Sequence, residues 1–290
     1  MKLEGQKIGV IGIGLMGFPI AKNLQAAGAE VIVCNRSKES IKALVAEGMV
    51  DGKNPANVTK LARTIILLLP DTMSVKAVMD GRRGVLKALG SGQLVIDMGT
   101  TDVLATRGFA SSAIKKNAMY VDAPVSGGVM GAKDGSLSIM VGGTDSAFCV
   151  ATPILSVLGK HITHIGEVGA GQIAKLANQI IVGLTIQAVA EALTLVKKAG
   201  LKPEVVRRAI QGGFADSRVL EVHGKRMIQE NFIPGGKSIT QLKDLSQAID
   251  LAETLDLQLP ATRLELELYK RLVEMGLGEL DHSAVVKILE

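Results

Sequence analysis

Between Lys7 and Asn35 the chain reads as strand, glycine turn, helix and strand, an order that confines it to folds built on a parallel sheet. KIGVIGIG at 7–14 is an apolar run ending in glycines. Ile20, Leu24 and Ala27 then recur at helical spacing over 16–27, and EVIVCN at 30–35 is apolar again. The alternation continues through helical 38–47, TIILLLP at 64–70, helical 74–89, QLVIDM at 93–98, helical 102–116 and MYVDAP at 119–124. LSIMVGG at 137–143 and HITHIG at 161–166 read as further strands. Unbroken Ile, Leu and Val in such strands suit a sheet covered by helices on both faces.

After residue 167 the pattern changes. From Gln172 to Ala199 only Gly183 interrupts a helical sequence, and Gly200 with Pro203 closes it. Helices are expected at 203–211, 216–229, 238–255, 261–275 and 282–289. A length of 290 residues suits two domains, since one domain usually takes about 100–200 residues. The expected fold class is α/β: a doubly wound, mainly parallel Rossmann-type sheet domain over 1–166, joined by the long helix to an all-helical domain over 167–290.

The turn GIGLMG at 12–17 matches G-x-G-x-x-G. Its first glycine permits the tight turn, its second lets a pyrophosphate approach the backbone, and its third lets helix and strand pack closely. The helix N-terminus then offers free N–H groups and a positive dipole end to the phosphates. Gly12, Gly14, Leu15, Met16 and Gly17 are therefore expected to hold a dinucleotide. An acid at the end of the second strand would select NAD by binding the ribose 2′-OH. Here that place holds Asn35, followed by Arg36 and Ser37. Nothing there repels a 2′-phosphate, and a guanidinium can bind it, so NADP is favoured and NAD remains possible.

Composition narrows the alternatives. The net charge is +5, and residues 1–164 carry the excess with 18 Lys+Arg against 12 Asp+Glu, but no dense basic run occurs. With 2% aromatic residues and no Trp, nucleic acid is not an expected partner. Polar residues Asn178, Gln179, Thr185 and Gln187 interrupt the longest uncharged run, so no membrane partner is expected. Two cysteines make no disulfide framework, and a cytoplasmic protein is expected. His161, His164, His223 and His282 lack metal-ligand spacing, so no metal is expected, and Asp281 ahead of His282 and Ser283 reads as a helix start. Apolar faces on the helices of the second half suggest a homo-oligomer, dimer or tetramer.

In GAGQIAKLANQ at 169–179, Lys175 and Asn178 project from one helix face. An ammonium and an amide so placed can bind a carbonyl oxygen and protonate it, the counterpart of hydride delivery to its carbon. In DAPVSGG at 122–128, Ser126, Gly127 and Gly128 can present a hydroxyl and N–H groups to a carboxylate, or be a plain turn. Thr100 and Thr101 follow a strand's carboxyl end, where ligands bind in open α/β sheets, or they cap the next helix. Lys243 and Asp244 read as an exposed pair or as part of the site.

Taken together, GIGLMGFPIAKNL at 12–24, DAPVSGG, GAGQIAKLANQ and the KDL of 243–245 resemble the β-hydroxyacid dehydrogenase family, relatives of 3-hydroxyisobutyrate and 6-phosphogluconate dehydrogenases. The likeness spans nearly the whole chain. KLANQIIVGLTIQAVAEALTLVKKAG, LPAT at 259–262 and DHSA at 281–284 resemble the branch that reduces tartronate semialdehyde. The resemblance implies reduction of a small carboxylate-bearing semialdehyde to the hydroxy acid, with Lys175 as acid/base and Asn178 orienting substrate oxygens. It implies Ser126, Gly127 and Gly128 on the substrate carboxylate. Leu69, Pro70, Thr100 and Lys243 would join the glycine turn in holding the cofactor. One position departs from the family pattern D-x-S-T: Gly99 stands where the serine is usual.

Overall fold

Strand β1 (Lys7–Ile11) is buried at every residue but Lys7, as an unbroken apolar run requires of a strand covered on both faces. It leads into α1 (Gly17–Ala26), β2 (Glu30–Cys34), α2 (Lys38–Ala46), β3 (Val50–Asp51), α3 (Pro55–Leu61), β4 (Thr64–Leu67), α4 (Thr72–Asp80), β5 (Leu94–Asp97), α5 (Val103–Ile114) and β6 (Met119–Asp122). The order β3-β2-β1-β4-β5-β6 is parallel throughout. Val10 pairs with Val33 on one side and Ile66 on the other, so the order reverses at β1. In open α/β sheets a crevice for a ligand lies at such a reversal, here beyond the carboxyl ends of β1 and β4.

The sheet continues through β7 (Val125–Ser126), α6 (Gly128–Asp134), β8 (Leu137–Gly142), α7 (Asp145–Leu158) and β9 (Gly159–Gly166). Strand β8 runs antiparallel to β6 and β7 and parallel to β9, so the sheet is mainly parallel. Ile8, Val10, Ile20, Leu24 and Leu44 fill one core, and Ile65, Leu67, Val75, Met79 and Tyr120 another.

The computed structural model describes residues 2–289. Two compact units divide after Lys175, within the long helix α8 (Ala170–Lys198). The second unit adds α9 (Pro203–Ile210), α10 (Arg218–Ile228), α11 (Ser238–Thr254) and α12 (Pro260–Glu274). Its core is built from Ile186, Leu193, Leu220, Leu245, Tyr269 and Val285. By length and apolarity alone α8 would cross a bilayer, with a window of mean hydropathy 1.7. Within the helical unit, however, its Ile186, Ala190 and Leu193 are core residues.

Some sequence expectations are corrected. The helix expected over 74–89 stops at Asp80, because Gly81 and Gly84 turn the chain into a short 3-10 segment, Val85–Lys87. The segment His282–Leu289 is 3-10 rather than α-helical. Helix α6 is hidden in the sequence by its glycines, and α7 by the internal Pro153.

Candidate active site

The glycine turn is shaped by close backbone approach. Gly12 has φ 103°, and a Cβ there would collide with the Leu68 carbonyl. A Cβ on Gly17 would collide with the carbonyl of Gly12 itself. Gly14 is different: a Cβ there meets nothing within 4 Å, so open space lies above its backbone. Met16 precedes α1 without any side-chain cap, leaving first-turn amides unpaired by a side chain. Leu15 is half exposed beside them. Asn35 donates from Nδ2 to the Ile13 carbonyl at 3.2 Å and to that of Ser37 at 3.4 Å, pinning the turn to the end of β2. Arg36 and Ser37 are exposed. Leu69 packs over Gly12, and Pro70 is exposed beyond it. Open space over Gly14, uncapped amides and a guanidinium in place of an acid together fit a phosphate-bearing dinucleotide.

A second cluster forms at the start of α8. Asp122, at the end of β6 and fully buried, accepts from the Gly169 amide at 2.7 Å and the Gln172 amide at 2.8 Å. Burial pushes its carboxyl above the usual carboxylate range, opposed by those amides. This cap aims the first turns of α8 back at the sheet. Lys175 is buried, and its Nζ donates to the Val125 carbonyl at 2.8 Å. The next residues are Ser126, Gly127 at φ 129° and Gly128 at φ 60°, where the chain turns from β7 into α6. The structure therefore brings Lys175 against β7, just before the turn Ser126–Gly128.

The loop after β5 joins the same cluster. Gln172 donates from Nε2 to the Gly99 carbonyl at 3.0 Å, and its Oε1 accepts from the Thr101 amide at 3.1 Å. Thr101 Oγ1 donates to Asp97 at 2.7 Å, and the Tyr120 hydroxyl donates to the same carboxylate at 3.2 Å. Burial raises the Asp97 carboxyl to about 6, with the Thr101, Gly99 and Tyr120 donors opposing. Thr100 is half-buried between these anchors. Asp102, rather than either threonine, caps α5 by accepting from Ala105 at 2.8 Å. Sequence reasoning passed over Asp97, Asp122 and Gln172. An acid ending a wholly apolar strand was the signal available for the first two.

In the helical unit, Asn178 donates to Gln179 Oε1 at 2.8 Å, and Gln179 donates to Asp244 at 2.6 Å. Lys243 Nζ lies 2.9 Å from Asp244 Oδ1. Asp244 is buried, so the reading of an exposed pair is corrected. His223 comes against the adjacent pair Asp281 and His282 although 58 positions separate it from Asp281 in the sequence, with donor atoms within 4.8 Å of one another. The Asp281 carboxylate already accepts from Arg226 at 3.0 Å, Gly235 at 2.8 Å and Ser283 Oγ at 2.6 Å. It anchors the start of the terminal 3-10 segment, in keeping with a helix start.

A family model described as the NAD binding domain of 6-phosphogluconate dehydrogenase matches residues 7–166. Another, described as the NAD-binding part of NADP-dependent 3-hydroxyisobutyrate dehydrogenase, matches residues 169–289. The chain belongs to the β-hydroxyacid dehydrogenase family. The 2-hydroxy-3-oxopropionate reductase of Escherichia coli K12 is 44% identical over 98% of this chain and 97% of that one. The 2-(hydroxymethyl)glutarate dehydrogenase of Eubacterium barkeri is 37% identical over 98% and 95% respectively. Psf3, solved in complex with NADP+ and 2-OPP, superposes with a TM-score of 0.89 at 26% identity, covering 98% of this chain and 100% of that one. This β-hydroxyacid dehydrogenase is thus an NAD(P)-binding oxidoreductase with a Rossmann-type sheet unit and a helical unit. In this dehydrogenase Gly99 has a local cause: a Cβ there would stand 2.8 Å from the Leu69 carbonyl oxygen. The loops after β4 and β5 touch backbone to backbone.

Proposed function

We propose that this dehydrogenase reduces a short semialdehyde acid of the tartronate semialdehyde type to the corresponding hydroxy acid, with NADPH preferred, and runs the reverse oxidation. The observation that carries the reading is Lys175: a buried ammonium fixed at 2.8 Å from the Val125 carbonyl, one residue before the Ser126–Gly128 turn. Identity of 44% to a 2-hydroxy-3-oxopropionate reductase across 98% of the chain supports the substrate class.

Gly12, Gly14, Leu15, Met16, Gly17, Asn35, Arg36, Ser37, Leu69, Pro70 and Thr100 would hold the dinucleotide, whose chemistry when bound is to supply hydride. Ser126 and the amides of Gly127 and Gly128 bind the substrate carboxylate, because positive-φ glycines turn successive N–H groups toward one anion. Lys175 then donates its Nζ proton to the carbonyl oxygen as negative charge develops there. In the oxidation the neutral amine takes that proton back.

A panel of tartronate semialdehyde, methylmalonate semialdehyde, succinic semialdehyde and glyoxylate, run with NADH and NADPH on the native enzyme and on Lys175→Ala, tests this. Tartronate semialdehyde should give the highest kcat/KM. The variant should lose turnover by about 10²–10⁴-fold while still binding NADPH. Native-like turnover by the variant overturns the acid/base role, and a preference for another member of the panel overturns the substrate.

A further inference from the structure

The loop after β5 and the end of β6 meet at a single buried residue in the first turn of α8, Gln172, which is 0% exposed. Its amide spans the loop after β5, donating to the Gly99 carbonyl at 3.0 Å and accepting from the Thr101 amide at 3.1 Å. Its own backbone N–H donates to Asp122 at 2.8 Å, so its Cα is fixed to the end of β6. Lys175 lies three residues on, over the next turn of the same helix face. Titratable groups surround this joint: Asp122 on its backbone, Asp97 behind Thr101, Tyr120 on Asp97, and Lys175 itself.

Carbonyl reduction needs two deliveries to adjacent atoms, a hydride to carbon and a proton to oxygen. Each tolerates little error, since a misplacement of about 1 Å can cost on the order of 10²-fold in rate. We infer that Gln172 is a positioning residue that holds the Lys175 ammonium in register with the Gly99–Thr101 loop. The inference rests on the reading of Lys175 as the acid/base. One planar amide with a donor and an acceptor fixes that loop against rotation as well as separation, which an apolar contact would not. Asp122 fixes the other end of the same residue. The side chain therefore acts as a rigid spacer between the loop and the ammonium.

The test compares native enzyme, Gln172→Met, Gln172→Glu and Lys175→Ala with NADPH and tartronate semialdehyde. Methionine keeps the volume and removes both hydrogen bonds. It should lower kcat about 10–100-fold, leave the NADPH dissociation constant within about threefold, and raise the deuterium isotope effect on kcat with NADPH deuterated at the transferred position. Glutamate offers a second readout that lost packing would not mimic. Protonated, it donates to Gly99 and accepts from Thr101 as glutamine does, whereas ionised it sets an anion against the Gly99 carbonyl. Its kcat relative to native should therefore rise several-fold as pH falls from about 8 to 5.5. Overturning results are a Gln172→Met kcat within twofold of native, a loss of NADPH binding that matches the loss of kcat, or a flat ratio for Gln172→Glu. If Lys175→Ala abolishes turnover while Gln172→Met is normal, the positioning role fails and the acid/base reading stands. If Lys175→Ala stays active, the acid/base reading itself fails.

Discussion

The proposed preference for NADPH rests on one side chain at a strand end, Arg36. The last buried residue of β2 is Cys34, and the chain then emerges through Asn35 to an exposed guanidinium. Asn35 is occupied with the Ile13 carbonyl and leaves Arg36 as the group beside the glycine turn that can fork onto a phosphate. Arg36→Ala is expected to raise KM for NADPH at least tenfold and to change KM for NADH less than threefold, checked by initial rates with both cofactors. Equal effects on the two would show that the guanidinium does not meet a 2′-phosphate. The placement of Asn35 and Arg36 after β2 was legible in the sequence because the turn and strand end lie within about 30 residues of each other. Asp122 and Gln172 were not legible, since their partners are 47 to 50 and 71 to 73 positions away. A hydrogen bond across that separation leaves no periodic trace.

At the scale of elements, β1 and α1 meet through glycines whose reasons differ. Gly17 is where helix touches turn, while Gly14 faces open space. Gly17→Ala must push α1 away from the Gly12 carbonyl, an overpacking that costs about 1–3 kcal/mol, and should lower both the melting temperature and dinucleotide affinity. Gly14→Ala should melt within a degree or two of native and still lose dinucleotide affinity, because its methyl group fills space the pyrophosphate would take. Thermal unfolding with and without NADPH separates the two cases. A strongly destabilised Gly14→Ala would mean that this glycine serves packing alone. The periodicity that predicts α1, α5, α8 and α12 works because each buries an apolar stripe. It fails for α6, whose GVMGAKD carries two glycines, and for α7, whose Pro153 reads as a break although the helix passes through it. It overruns at α4, where Gly81 and Gly84 end the helix before apolar residues resume at Val85.

For the whole molecule, each unit carries a buried acid whose ionisation opposes folding, and both weigh against alkaline pH. In the helical unit Glu265 is buried, with its Oε1 lacking a hydrogen-bond partner among the described residues, and burial followed by repulsion from Glu191 raises its carboxyl from 4.5 to about 8. The folded state thus holds a proton that the unfolded chain has released. Stability must fall as pH rises from about 4.5 to about 8, then level off. Asp97 acts in the same direction in the sheet unit, between 3.8 and about 6. Asp281 acts oppositely: burial alone would raise it, but His223, His282, Ser283 and Gly235 hold it below 3.8, so its stabilisation is lost only as acid protonates it. Glu265 and Asp97 thus favour mildly acidic over alkaline pH, while Asp281 sets its cost only in stronger acid. Glu265→Gln removes the charge that cannot be accommodated, and should gain on the order of 2–4 kcal/mol at pH 8.5 and little at pH 4.5, read by urea unfolding across that range. A gain independent of pH would assign the effect to packing around α12, and no gain at pH 8.5 would mean that Glu265 finds water or a partner when it ionises.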